Sequence, residues 1–232
     1  LIILTGPTAV GKTKLSISLA QAVNGAIISA DSMQVYRHMD IGSAKIRPEE
    51  MCGVPHYLID VLDPSEEFHV VKFVELAHEA MEKIYAAGQI PIVTGGTGFY
   101  IQALLKEVDF TESHGELPIR KQLEEKAATE EGAAELYREL SEVDPASAET
   151  IHPNNVKRVI RALEYYHETG QKISEHNEEQ KQKESPYCSA YFVLNDERSI
   201  LYDRIDRRVD QMICDGLVDE VFRLKEMGYT RD

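Results

Sequence analysis

The eight residues Gly6, Pro7, Thr8, Ala9, Val10, Gly11, Lys12 and Thr13 constrain this chain more than any other segment. They satisfy G-x-x-x-x-G-K-[ST] at every fixed position. Before them runs Leu1-Ile2-Ile3-Leu4, an unbroken apolar stretch of the kind a buried parallel strand shows. After them Leu15, Leu19, Ala22 and Val23 recur at helical spacing, and Asn24-Gly25 closes that helix. A strand, a glycine-bearing turn and a helix in this order form a phosphate cradle. The turn points backbone N–H groups inward, and the helix N-terminus adds partial positive charge. Lys12 supplies a point charge, and the Thr13 hydroxyl can ligate Mg²⁺. A chance glycine turn is the ordinary alternative, and the complete motif in this context sets it aside. The cradle predicts a bound di- or triphosphate without saying which.

The next hundred residues repeat the strand–helix alternation. Residues 26–30, 56–61 and 90–94 read as further strands. Val70, Phe73, Val74, Ala77, Ala80, Met81 and Ile84 form one apolar helical stripe, ended by Gly88. This predicts an α/β fold, a P-loop NTPase-like parallel sheet flanked by helices on both faces. After about Phe110 the pattern changes to Glu/Lys/Ala-rich helical stretches at 117–128, 133–140 and 156–169, and a polar run at 174–185 reads as a solvated linker or helix end. Tyr191-Phe192-Val193-Leu194 restores a strand, and 199–225 reads as helical with a break at Asp215-Gly216. The expected layout is a core of residues 1–110 and 187–232 carrying a helical insertion domain at 111–186.

Charge narrows the partners. Twenty-five Lys and Arg against 40 Asp and Glu leave a net charge of −15. An acidic chain argues against nucleic acid unless a local basic surface exists, because phosphate affinity comes largely from Lys and Arg. Three cysteines without metal-type or paired spacing fit a reducing, cytoplasmic setting. No apolar run reaches membrane-spanning length, and no secretory signal is expected at Leu1. The chain starts without Met and stops at Arg231-Asp232 directly after a helical pattern, so it reads as incomplete at both ends.

A kinase or ATPase needs an acid for Mg²⁺ near the end of a buried strand. Asp60 and Asp63 are available for this, whereas 90–94 runs into glycine rather than acid. Asp31 stands just past the second strand, where open parallel sheets hold their ligands. There it either accepts a proton from a nucleophile or caps its loop, and position alone leaves both open. His56 and His152 read as structural, since no His/Cys/Asp cluster has ligand spacing. Arg204 and Arg207 read as helix-surface ion-pair residues near Asp203 and Asp206.

Taken with the phosphate loop, Ser29-Ala30-Asp31-Ser32-Met33-Gln34-Val35-Tyr36, Met39-Asp40-Ile41-Gly42-Ser43-Ala44-Lys45, Pro55-His56-Tyr57-Leu58-Ile59-Asp60 and Gly95-Gly96-Thr97-Gly98-Phe99-Tyr100 resemble the tRNA dimethylallyltransferase (tRNA isopentenyltransferase) family. So do Ile151-His152-Pro153-Asn154-Asn155, Arg158-Val159-Ile160-Arg161-Ala162-Leu163-Glu164 and Leu201-Tyr202-Asp203-Arg204-Ile205-Asp206-Arg207-Arg208-Val209, so the resemblance runs nearly end to end.

It implies transfer of a dimethylallyl group from dimethylallyl diphosphate to N6 of adenine 37, beside the tRNA anticodon. The phosphate loop would hold the diphosphate donor rather than ATP, with Mg²⁺ at Thr13 and Thr8 also lining the donor site. Asp31 would be the general base. Lys12 and Arg208 would stabilise the leaving group. Asp31, Ser32, Met33, Gln34, Thr97, Arg120, Lys157, Arg158 and Arg161 would contact the tRNA anticodon stem-loop. The family continues beyond the end of this chain with a tail that also touches tRNA, and 106–118 is shorter than the family pattern. No membrane partner is implied, and the chain is read as a monomer.

The residues of 156–169 bear on the charge objection. Val156, Val159, Ile160, Leu163 and Tyr166 make an apolar stripe, with Lys157, Arg158 and Arg161 opposite it and Glu164 and Glu168 on the same polar side. Alone this reads as a solvated face, and the resemblance turns it into an RNA-contacting one. Three competing readings remain. They are an ATP-dependent small-molecule kinase using Asp60 and Arg120 or Arg158, an isopentenyltransferase acting on free adenine nucleotides, and a non-catalytic phosphate-binding module.

Overall fold

The computed structural model describes residues 1–107 and 118–229. It divides into two compact units, one of Leu1–Glu107 with Ser185–Asp232 and one of Val108–Glu184. The boundary expected at 110/111, the short 106–118 stretch beyond Glu107, and Arg231-Asp232 lie outside the described residues.

Ile2–Thr5 (β1) leads through the phosphate loop into Lys12–Val23 (α1), which ends on a left-handed Asn24, a conformation Asn tolerates. Gly25–Ser29 (β2) is buried throughout. His56–Tyr57 (β3) is shorter than the strand expected at 56–61, because Leu58 (φ 62°) and Asp60 (φ 55°) turn left-handed and end the ladder. Val70–Ala86 (α2), Ile90–Gly95 (β4) and Gly98–Lys106 (α3) follow.

The second unit holds Pro118–Lys126 (α4), Glu130–Val143 (α5), Pro145–Thr150 (α6), Val156–Thr169 (α7) and Ile173–Gln182 (α8). The run at 174–185 is thus mostly helix rather than linker. Ala190–Val193 (β5), Arg198–Cys214 (α9) and Leu217–Glu226 (α10) return to the first unit. Among the described residues no helix is long and apolar enough to cross a membrane.

The five strands form one parallel sheet in the order β3-β2-β4-β1-β5. Strand periodicity sends Ile3, Ala26, Ile28 and Val93 to one face, where Phe73, Ala77, Met81 and Ile84 of α2 and Ile101 and Leu104 of α3 cover them. Ile27 and Ile92 face the other way, against Ala20 of α1. Covering both faces explains why β1, β2 and β4 read as apolar runs without alternation. Truncating the fully buried Phe73 to Ala would cost ~3–5 kcal/mol.

The two chain segments that leave and re-enter this unit are tied side by side. Tyr187 Oη hydrogen-bonds His78 Nε2 at 3.0 Å and donates to Glu107 Oε1 at 3.3 Å. Burial, and then the adjacent Glu107 carboxylate, push the Tyr187 phenol up to about 12.

The second unit has its own core of Leu123, Leu136, Leu140, Val159, Ile160 and Leu163. Asp144 ties its helices together. It caps α6 through Ser147 N and Oγ (3.1 and 2.7 Å) and takes Ser174 N and Oγ of α8 (3.0 and 2.6 Å). Burial alone would raise this carboxyl, and the bonds from Ser174 and Ser147 outweigh it and hold it below the ordinary value.

Candidate functional site

All strands run the same way, so their C-terminal ends collect the loops at 6–11, 30–46 and 95–97 along one edge. The phosphate loop turns through left-handed residues at Ala9 (φ 63°) and Gly11 (φ 96°). Gly6 is a steric requirement, because a Cβ there would sit 2.4 Å from the Leu194 carbonyl oxygen. Gly95 is another, since its Cβ would meet the Ala30 carbonyl oxygen at 2.2 Å. The ends of β2 and β4 therefore pack backbone to backbone, which brings Asp31 and Thr97 close to the cradle. Thr97 N donates to Ala30 O at 3.4 Å.

A cleft of about 480 Å³ opens at this edge. Thr8, Ala9, Gly11, Lys12 and Thr13 line one side, Asp31, Met33 and Gln34 another, and Arg208 of α9 a third. Asp31 is the one carboxylate among the lining residues. Lys12 Nζ donates to the carbonyl oxygens of Gly6 (2.9 Å) and Pro7 (2.8 Å). Burial lowers the Lys12 pKa, Asp31 opposes that shift, and Arg208 adds to it. The three charges therefore sense one another.

Asp31 takes the capping role its position allowed. Oδ1 caps its own turn, accepting from Met33 N (2.9 Å) and Gln34 N (3.3 Å). Oδ2 has no hydrogen-bond partner among the described residues. Gln34 accepts from Ser29 Oγ at 3.2 Å and donates to the carbonyls of Ser43 and Ala44 at 3.4 Å each. Ser32 lies half-buried in the same loop. A smaller recess of about 60 Å³ behind Lys12 and Thr13 is lined by Ser29, His56 and Thr94. There Thr94 Oγ1 is buried without a hydrogen-bond partner among the described residues.

The oxygen offered to a metal is the Thr13 hydroxyl. This incomplete oxygen shell suits Mg²⁺, which completes its coordination with water and phosphate oxygens. The acids named for a kinase are committed elsewhere. Asp60 pairs with Lys45, whose side chain is 4% exposed. Asp63 accepts from Ser65 and Tyr229, and those bonds hold it down at about 2.

The second unit gathers the remaining basic residues, and here one expectation is corrected. Glu164 is fully buried rather than solvated. Its carboxylate takes Arg120 Nη1 at 3.2 Å and Arg161 Nη1 at 3.1 Å. The buried face of α7 is broader than the expected stripe and includes Ala162 and Tyr165, while Tyr166 is half-buried. Arg120 also pairs with Glu124 at 3.1 Å. Lys157 and Arg158, in the first turn of α7, are exposed. Arg204 is a surface ion-pair residue as expected, its partner being Asp196 at 3.0 Å. His56 is structural as expected, its Nδ1 bonding the Val54 carbonyl oxygen at 2.8 Å.

Sequence reasoning gave no role to Gly42, Ser43 and Ala44, or to Ile205, Val209 and Met212 of α9, all of which line the cleft. The motif at 39–45 marked the first group without a function. Spacing along α9 from Arg208 could have found the second.

A protein-family model described as IPP transferase matches residues 34–232. A tRNA dimethylallyltransferase of Lachnoclostridium phytofermentans is 64% identical over 231 residues, covering 100% of this chain and 74% of that protein. One from Bacillus mycoides is 50% identical, covering 97% of this chain and 71% of that protein. The crystal structure of full-length tRNA isopentenylpyrophosphate transferase from Bacillus halodurans matches with TM-score 0.68 and 46% identity, over 99% of this chain and 71% of that one. A eukaryotic dimethylallyltransferase captured acting on tRNA matches with TM-score 0.84 and 39% identity, over 98% of this chain and 56% of that one.

Proposed function

This chain belongs to the IPP transferase family, and on that premise we propose that it transfers a dimethylallyl group from dimethylallyl diphosphate to N6 of adenine 37 of tRNA, releasing diphosphate. The observation that carries the reading is the convergence of Lys12, Arg208 and a single carboxylate, Asp31, on one cleft. A neutral adenine amino group is a weak nucleophile, because its lone pair is delocalised into the ring. Attack on the allylic carbon needs help at both ends.

The backbone N–H groups of 6–13 and the Lys12 ammonium hold the diphosphate, and Arg208 reaches it from α9. The Thr13 hydroxyl would hold a Mg²⁺ ion, which would supply charge neutralisation at the leaving group. N6 forms the new bond to the allylic carbon, the carbon–oxygen bond to diphosphate breaks, and its electron pair leaves with the diphosphate. The N6 proton passes to Asp31, whose Oδ2 is free to take it while Oδ1 stays fixed by its turn. Met33 and Gln34, which line the cleft, would guide the approach of the base, with Ser32 and Thr97 next to lining residues in the same loops. Lys157, Arg158, Arg161 and Arg120 contact RNA phosphates from the second unit, which answers the objection raised by the acidic net charge. The reading places the protein with its tRNA in the cytoplasm.

The test incubates the protein with dimethylallyl diphosphate, Mg²⁺ and unmodified tRNA, then weighs the digested nucleosides. A dimethylallylated adenosine is expected. Prenylation of free adenine nucleotides in preference to tRNA, or a phosphoryl-transfer product from ATP without tRNA, would overturn the reading.

A further inference from the structure

Glu220 is an acid that the reaction above does not use. It stands on α10, is 3% exposed, and enters no ion pair among the described residues. Its Oε2 accepts the backbone N–H groups of Asp40 (2.9 Å) and Ile41 (2.7 Å), and its Oε1 accepts that of Gly42 (2.9 Å). Three successive N–H groups aimed at one carboxylate form an anion nest, filled here by the chain itself. Such charge-assisted bonds are stronger than neutral ones.

The nest belongs to the segment that lines the cleft through Gly42, Ser43 and Ala44. Two nearby side chains hold that segment from below. Gln34 donates to the Ser43 and Ala44 carbonyls, and Lys45 Nζ bonds Asp40 at 2.6 Å and the Tyr36 carbonyl at 2.7 Å. Glu220 holds it from a distant part of the sequence. α10 follows α9 through Asp215 and a left-handed Gly216 (φ 97°). α9 in turn presents Ile205, Arg208, Val209 and Met212 to the same cleft. One carboxylate therefore spans the two walls. The fit is close, since a Cβ on Gly42 would stand 3.2 Å from Leu217 Cδ1 and 3.5 Å from Glu220 Oε1.

We propose that Glu220 is a positioning residue, its carboxylate fixing the distance between the Arg208 wall and the 40–44 wall and so the place of the donor's diphosphate. This rests on the function proposed above. Only a carboxylate serves, because an amide has one acceptor oxygen and would turn an NH₂ donor toward a backbone donor.

The experiment measures binding of dimethylallyl diphosphate with Mg²⁺ by calorimetry, and steady-state KM and kcat, in the intact protein. The variants are Glu220→Gln, Glu220→Ala and Asp219→Ala, the last removing an equal charge from the exposed neighbouring position. Glu220→Gln should raise the donor Kd and KM by roughly tenfold and leave KM for tRNA unchanged. Glu220→Ala should go further, and Asp219→Ala should match wild type. If Glu220→Ala fails to fold, the isosteric Gln variant carries the reading. A folded Glu220→Gln that binds donor as wild type does, whatever its melting temperature, overturns the inference, as does an equal loss in Asp219→Ala. A wild-type protein that does not bind dimethylallyl diphosphate sinks the proposed function instead, and this inference with it.

Discussion

Lys12 and Arg208 face the cleft of the first unit with a single carboxylate, Asp31, among the lining residues, whereas Arg120 and Arg161 of the second unit close on Glu164, which has no exposure at all. In the first case Lys12 is set by backbone, resting on two carbonyl oxygens, and Arg208 has no counter-ion of its own among the described residues. In the second the arginines are set by a buried counter-ion. The cleft keeps its positive charge available to an incoming anion, and the second unit commits these two arginines to structure. A basic residue in a matched motif can therefore serve either end, and its partner decides which.

Five substitutions test this contrast. The largest effect is expected at Asp31→Asn, which keeps shape and removes the base. The single-turnover rate with saturating tRNA and donor should fall by ~10²–10⁴ while donor affinity survives. Normal turnover would reduce Asp31 to a turn cap. Lys12→Ala should cost ~10²–10³ in rate through loss of leaving-group stabilisation.

The Lys12 charge also has a pH signature. Burial lowers its pKa from 10.5, with Asp31 opposing and Arg208 adding. Donor affinity that depends on the ammonium should be lost as pH rises through a value below 10.5. Calorimetric titration across alkaline pH reads this directly, and the limb should be missing in Lys12→Ala.

Glu164→Gln should act on stability instead, lowering that of the second unit by about 1–3 kcal/mol. The lower end is favoured because both arginines are 35% exposed and can rehydrate. Denaturant melts should show the loss, and donor affinity should not move. The smallest effect belongs to the exposed Arg158. Arg158→Ala should flatten the salt dependence of tRNA binding by roughly one unit of slope and leave the melt unchanged. Arg161→Ala should change both. Identical behaviour of the two arginine variants would erase the distinction drawn above.

The legible parts of this molecule are the local ones. The strand–loop–helix at residues 2–23 follows from consecutive residues, as does the stripe of α2. Asp31 could be placed near the cradle because strand ends in a parallel sheet share an edge. The helix α8 was hidden because its sequence, ISEHNEEQKQ, carries no apolar stripe and has no buried residue. For α6 a signal existed, namely Asp144 as cap followed by Pro145 at the first turn. Glu164 looked solvated because a Glu three residues after Arg161 satisfies the rule for an exposed helix pair. Its burial depends on Arg120, 44 residues earlier. Glu220 was invisible for the same reason, with partners 178 to 180 residues away.

The Tyr187–Glu107 bond has a consequence for how this architecture could arise and be rebuilt. It places the exit and re-entry points of 108–184 within side-chain reach of each other, although 80 residues of sequence separate the two. For chain entropy the sheet is then nearly continuous. Joining α3 to β5 requires closing a gap that one side-chain hydrogen bond already spans, and loop-closure cost grows only as the logarithm of length. An ancestor with a short turn at this point would have closed the same sheet. A shortened chain with a few glycines and serines in place of 108–184 should still melt cooperatively, and it would isolate the diphosphate cleft as a folding unit of its own.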